Sequence, residues 1–145
     1  VKLADLKFEA EGYLAFVLDQ STKRSLQQKY PCSFYRDFTD HVTILFPVKS
    51  DRSLDEIKKY LGEPNPAVVL TGYAIDKTVE VECFTATVGG KSERNDGSFY
   101  HLTHSIGEGK SPVASNALLK ALGGIPQKKL DIPVKGEYCI IKFGR

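Results

Sequence analysis

Two of the three histidines in this 145-residue chain stand in the same local pattern, His41-Val42-Thr43-Ile44 and His101-Leu102-Thr103-His104. Each follows a polar stretch and opens a segment that reads as a strand. An apolar residue and then a threonine follow a histidine by chance roughly one time in fifty at average composition, so two cases among three histidines are informative. On a strand, residues i and i+2 point to the same side. His41 therefore projects with Thr43, and His101 with Thr103, while Val42, Ile44 and Leu102 pack on the opposite side. Two such strands side by side would line one cleft with two imidazoles and two hydroxyls.

That set of groups suits cleavage of a phosphodiester. Imidazole titrates near neutral pH, so one ring can be neutral while the other is protonated. The neutral ring takes a proton from the attacking water or ribose hydroxyl, and the protonated ring gives one to the departing oxygen. The threonine hydroxyls can hydrogen-bond the non-bridging oxygens as charge grows on phosphorus. A single histidine on a strand is more often a packed, hydrogen-bonded residue than a catalyst; the repetition favours catalysis. A zinc site built from His41, His101 and His104 with a cysteine or aspartate is the other option. However, His-x-x-His on a strand sends its ligands to two faces, and no metal or cofactor is expected.

The elements that must carry these residues can be read from periodicity and caps. Residues 13–18 form an apolar strand. Ser21 is placed to cap a helix running to Tyr30, where Pro31 stops it. Residues 41–47 form the strand of the first motif. Ser53-Leu54-Asp55-Glu56 reads as a capping box, followed by Leu54, Ile57 and Leu61 on one helical face and by Gly62 at its end. Residues 67–75 and 78–88 read as strands joined at Asp76-Lys77. In the second, Val79, Val81 and Cys83 alternate with Glu80 and Glu82, so one side is expected apolar and the other wet. Gly89 to Ser98 is expected to be a mobile polar loop. Residues 99–106 carry the second motif. Ser111 caps a helix with Pro112 at its first position, ending at Gly123-Gly124. After a Pro- and Lys-bearing connection, a last strand runs from Glu137 to Phe143. The order β-α-β-α-β-β-β-α-β, with at least six strands and three helices, favours an α+β fold over a doubly wound parallel sheet. No composition shift divides the chain, so 1–145 reads as one domain.

The paired motifs resemble those of the 2H phosphoesterase superfamily, which carries two His-x-Thr/Ser-x motifs with x usually apolar. The resemblance covers about Tyr13 to Phe143, although His104 stands where the family prefers an apolar residue. It implies a two-lobed fold of antiparallel sheets with outer helices, the motifs meeting in a central groove. It also implies a phosphodiesterase with His41, Thr43, His101 and Thr103 as its catalytic set. The chain's length is similar to that of compact viral and phage members that cleave cyclic or oligonucleotide signals, including host defence messengers. The segment Gly109 to Asn116 also resembles phage-type members.

Other residues are candidates for substrate contact. Tyr13 opens a strand and can stack on a base, although an aromatic there is more often core. Lys110 and Ser111 precede a helix N-terminus, which favours phosphate, and Ser111 is equally a simple cap. Arg36, Lys49 and Arg94 are loop cations that can reach a phosphate or remain solvated, and the loop around Arg94 can act as a lid. Glu137 and Tyr138 can read a base edge or a ribose if the last strand borders the groove.

Composition bounds the alternatives. A net charge of +2, from 20 basic and 18 acidic residues, is too weak to demand DNA or an anionic membrane. A long RNA track usually needs a continuous basic stripe, so a cyclic nucleotide or cyclic oligonucleotide is favoured over RNA. The nearest rival is an enzyme of RNA ends that opens 2′,3′-cyclic phosphates, taking short RNA. Rivals from other classes are a nucleotide-binding module that does not cut and a partner-binding domain with structural histidines. Cys32, Cys83 and Cys139 are too widely spaced for a zinc ribbon or redox pair and read as buried free thiols. No apolar run is long enough to cross a bilayer. Val1-Lys2-Leu3-Ala4-Asp5 is charged and has no signal-peptide core, and the lack of methionine is read as a removed or uncounted initiator. A cytoplasmic location is expected, that of the host for a viral or phage protein.

Overall fold

The computed structural model describes residues 12–48, 60, 66–94, 97–111 and 114–142. In chain order the elements are β1 (Gly12–Leu18), α1 (Gln20–Lys29), β2 (Arg36–Asp37), β3 (His41–Val48), β4 (Val68–Asp76), β5 (Val81–Val88), β6 (His101–Ile106), α2 (Ala114–Ala121), β7 (Lys128–Pro133) and β8 (Gly136–Lys142). The strands form one open sheet in the order β7-β4-β5-β6-β3-β1-β8, with β2 paired to β6. Every registered pairing is antiparallel. The class is therefore α+β. Among the described residues, no helix is long and apolar enough to cross a membrane.

Side-chain alternation assigns the two faces. Val42, Leu102 and Phe84 turn to one side and join Leu14, Phe16, Leu70 and Leu26 of α1 in the larger core. Ala74, Val81 and Cys83 turn to the other and meet Leu118 and Leu119 of α2. β5 is covered on both faces and is buried at every position except Thr87. Burial of this apolar surface is the main favourable contribution to folding, at about 25 cal/mol per Å² removed from water.

The sequence reading is corrected at several places. α1 starts at Gln20, with Asp19 as its N-cap residue and Ser21 already inside the helix. Val79 is not a strand residue; it lies in the turn between β4 and β5 and is exposed. Glu82 is not on a wet face but fully buried, because Ser33, Tyr73 and Ser105 surround its carboxylate with donors. Part of the connection after Gly124 forms β7, which pairs with β4 although its own alternation is weak. The Gly89–Ser98 stretch is folded back on itself in its described part. Val88 bridges Lys91 and Glu93 bridges Phe99, while Arg94 N–H donates to Ser98 O at 2.7 Å. Of the capping box and the helix expected over 53–62, Tyr60 is described and is helical; the rest, with Lys49, Pro112 and Phe143, lies outside the described residues.

Candidate active site

β3 and β6 carry the two motifs and lie side by side, with Val42 opposite Leu102. Counting outward from that pair, His41 falls level with Thr103 and Thr43 with His101. The two imidazoles and two hydroxyls thus cross diagonally on the face opposite the larger core. All four residues line one cavity of about 420 Å³, together with Tyr13, Phe38, Asp40, Phe46, Arg94 and Asn116.

The approach to His41 is built by a bulge. Arg36 and Asp37 pair with Ile106 and Ser105, and the backbone N–H groups of Phe38 and Thr39 then donate to His104 O and Thr103 O, both at 2.9 Å. By Val42 the chain has advanced only to Leu102 on β6. Thr39, Asp40 and His41 therefore face the single residue Thr103, a bulge of the kind that re-aims side chains beside functional sites. Thr39 holds it with φ at 42°, a left-handed conformation costly for a β-branched residue. Its hydroxyl lies 2.8 Å from His104 Nδ1, fixing the buried side of the turn.

Hydrogen bonding defines the tautomers. His41 Nδ1 lies 3.2 Å from Asp40 Oδ2, and His101 Nδ1 lies 2.9 Å from Phe99 O. A carbonyl oxygen and an ionised carboxylate can only accept, so each Nδ1 carries the hydrogen and Nε2 of each ring is left to exchange protons. The two rings differ in their surroundings. Burial pushes the His101 pKa below the ordinary histidine value; the positive charge of Arg94 and the neighbouring His41 act in the same sense, against the Phe99 carbonyl. His41 instead has the Asp40 carboxylate beside its Nδ1. The lowered pKa suits His101 to accept a proton, which leaves His41 as the ring to donate one.

The hydroxyls and the cation complete the site. Thr103 is buried and lies 2.9 Å from Ser115 Oγ on α2, so α2 holds its rotamer. Arg94 reaches the cavity from the hairpin between β5 and β6, with its Nε donating to Ser98 Oγ at 2.6 Å. Tyr13 on β1 packs between His41 and Phe46, its ring tilted by 47° and 45° to theirs with centroids 5.6 Å and 5.7 Å away. Burial raises its hydroxyl pKa, helped by the charge of Asp40.

Not every candidate from the sequence reaches this cavity. Lys110 and Ser111 are exposed and do not line it. Arg36 is exposed too, placed over the Phe38 ring and within 3.5 Å of Lys110 O. Glu137 on β8 is exposed opposite Val17 and is absent from the lining. Tyr138 is turned to the other face by strand parity. It pairs with Phe16, packs edge-on against that ring at 5.0 Å, and donates its hydroxyl to Pro66 O at 2.6 Å. Conversely, Asp40, Phe38, Phe46 and Asn116 line the cavity without having been singled out. Asp40 had a signal in the sequence, an acid directly before a motif histidine; Phe46 gave none, since an apolar strand residue does not announce which face is open, and neither Phe38 in the connection before β3 nor Asn116 on α2 belongs to a motif.

His104 lies with Leu102 on the opposite face, so the histidine triad needed for a zinc site is not assembled. Its Nε2–H donates to Tyr30 O and its Nδ1 faces the Thr39 hydroxyl, which commits both nitrogens. Cys32, Glu82 and His104 do bring their ligand atoms within 4.8 Å of one another. For that group to hold a cation, His104 Nε2 would have to release Tyr30 and the Glu82 carboxylate its protein donors. Comparison with protein families, with curated proteins and with solved structures finds no match to this chain.

Proposed function

We propose that this chain is a phosphodiesterase of the 2H type, hydrolysing a cyclic nucleotide or cyclic oligonucleotide through His/His acid–base catalysis in the cytoplasm. The observation that carries the reading is the opposed pair of His-x-Thr segments lining one cavity, each ring with its Nδ1 hydrogen engaged and its Nε2 left for exchange. The junction of β3 and β6 would correspond to the groove between two lobes.

In this reading the phosphate sits between the rings, with Arg94 and the hydroxyls of Thr43 and Thr103 on its non-bridging oxygens. Nε2 of His101 takes the proton of the attacking water as its oxygen bonds to phosphorus. The P–O bond to the departing ribose oxygen breaks, and Nε2–H of His41 protonates that oxygen. The histidines exchange roles in protonation, and return by passing the proton back through solvent. Both proton transfers are supplied by side chains of this chain, so the scheme asks nothing of a metal-bound water. A phage enzyme that removes a host defence messenger is one setting for such chemistry.

Incubating the protein with cyclic dinucleotides, cyclic trinucleotides and 2′,3′-cyclic mononucleotides in EDTA tests the reading. Linear products from a 3′-5′ cyclic substrate are expected. Turnover confined to 2′,3′-cyclic phosphates would move the assignment to RNA-end chemistry. Tight binding without product would make the chain a nucleotide-binding module, and loss of turnover in EDTA would overturn the two-histidine scheme.

A further inference from the structure

A second cavity of about 220 Å³ opens beside the first, lined in part by Thr71, Thr85, Ser92, Phe99, Lys129 and Leu130. Its position follows from the strand register. Thr85 on β5 is the direct partner of His101 on β6, so the two side chains share a face and their Cα atoms are roughly 5 Å apart. One lines the second cavity and the other the catalytic one. Phe99 ties them further, since its carbonyl accepts the His101 Nδ1 hydrogen while the residue lines the second cavity. The hairpin that brings Arg94 to the first cavity brings Ser92 to the second.

We propose that this second cavity holds a second nucleotide unit of the same substrate, so that the scissile phosphodiester joins two nucleotides. The inference rests on the phosphodiesterase reading and narrows its substrate class. An aromatic ring and the aliphatic Leu130 suit the flat apolar surface of a base. The hydroxyls of Thr71 and Thr85, 2.9 Å apart on the wall, retain hydrogen-bonding capacity for a base edge or ribose. Lys129 adds a cation for the second phosphate of a cyclic dinucleotide. At half the volume of the catalytic cavity, the second one suits a base rather than another reacting centre. A mononucleotide would leave it without a role.

Lys129→Ala and Ser92→Trp test this, because both positions are exposed and neither belongs to the acid–base machinery. The first removes the cation and the second fills the cavity. KM and kcat are measured for cyclic di-AMP, cyclic di-GMP and 2′,3′-cyclic AMP. Dissociation constants for the same probes are measured by calorimetry on the His101→Ala protein, with and without each change. Each variant is expected to weaken binding of a cyclic dinucleotide about tenfold, the loss of one charged or packed contact, with 2′,3′-cyclic AMP unaffected. Equal effects on mono- and dinucleotides, no effect on either, or no dinucleotide binding at all would overturn the subsite. If dinucleotides bind in a Lys129-dependent manner yet no substrate is cut, the subsite stands and the hydrolytic reading falls. If substrates are cut and the variants behave as wild type, the hydrolytic reading stands and the subsite falls.

Discussion

Asp40 Oδ2 lies 3.2 Å from Nδ1 of His41, the very next residue, and both line the cavity that also holds His101. Adjacent residues on a regular strand point to opposite sides, so this contact exists because the chain bulges at Thr39–His41. In the proposed reaction Asp40 would be a positioning residue, holding the His41 ring with the hydrogen on Nδ1. Asp40→Asn is expected to lower kcat on the order of tenfold while barely moving KM. That is less than the about 10⁴-fold loss known for a buried orienting carboxylate, because Asp40 is half exposed and screened by water. Steady-state kinetics on a cut dinucleotide read this split; a change confined to KM would make Asp40 a substrate contact instead.

The two histidines are expected to work as a unit. His41→Ala and His101→Ala should each reduce turnover by about 10²- to 10⁴-fold with circular dichroism and melting temperature preserved, since neither ring belongs to either hydrophobic core. The double variant should lose little more than the worse single one, because once one proton transfer is missing the other has nothing to couple to. Multiplicative losses would mean that the rings contribute independently.

The pH profile should report the His101 environment. Burial, Arg94 and His41 all oppose its protonation, so it stays a free base below the ordinary histidine value. The acidic limb of kcat/KM is therefore expected below pH 6.5, with an alkaline limb where the proton donor is lost. Arg94→Gln removes a cation that disfavours the protonated ring, so the acidic limb should move up in pH. A limb that moves down, or stays fixed, would place the base elsewhere.

The motif histidines were legible because strand parity is strict: once His41 and His101 open strands, Thr43 and Thr103 must share their faces. The strand that each motif opens, and the hairpin β4–β5, were also readable from the apolar pattern. The bulge was not, since positive φ is normally signalled by glycine or asparagine, and here Thr39 adopts it. Glu82 misled for a related reason: alternation predicts which side a residue faces, not whether a loop covers that side. Residues 33–34 return over β5 and β6, where Ser33 N–H donates to Glu82 Oε1 at 2.7 Å and Phe34 N–H to Ser105 Oγ at 3.2 Å. β7 was missed because its burial is slight, so its pairing with β4 is held by backbone hydrogen bonds more than by an apolar pattern.

Tyr138 provides a control on the site's limits. Its hydroxyl donates to Pro66 O within the larger core. Tyr138→Phe should cost about 1 kcal/mol of stability, with the Pro66 carbonyl left short of a donor, and leave kcat and KM unchanged. Chemical denaturation and the dinucleotide assay measure the two quantities separately; a raised KM would return Tyr138 to the binding site.

Glu82 should show the same division between stability and catalysis in a larger amount. Its carboxylate accepts from Ser33 N–H, the Ser33 hydroxyl, the Tyr73 hydroxyl and the Ser105 hydroxyl, tying the 31–35 segment to β4, β5 and β6. Glu82→Gln replaces one accepting oxygen with an NH₂ that faces donors, leaving a buried mismatch that water cannot relieve. A cost of roughly 3 kcal/mol is expected, a fall in melting temperature of roughly 10 °C for a domain of this size. Because Glu82 lies with Phe84 and His104 on the face away from His41 and His101, the folded fraction should turn over at the wild-type rate. Glu82→Leu removes every acceptor while keeping the volume, and should cost more than the glutamine if hydrogen bonding is what this carboxylate contributes. A leucine variant as stable as wild type would show instead that the buried network is dispensable to the fold.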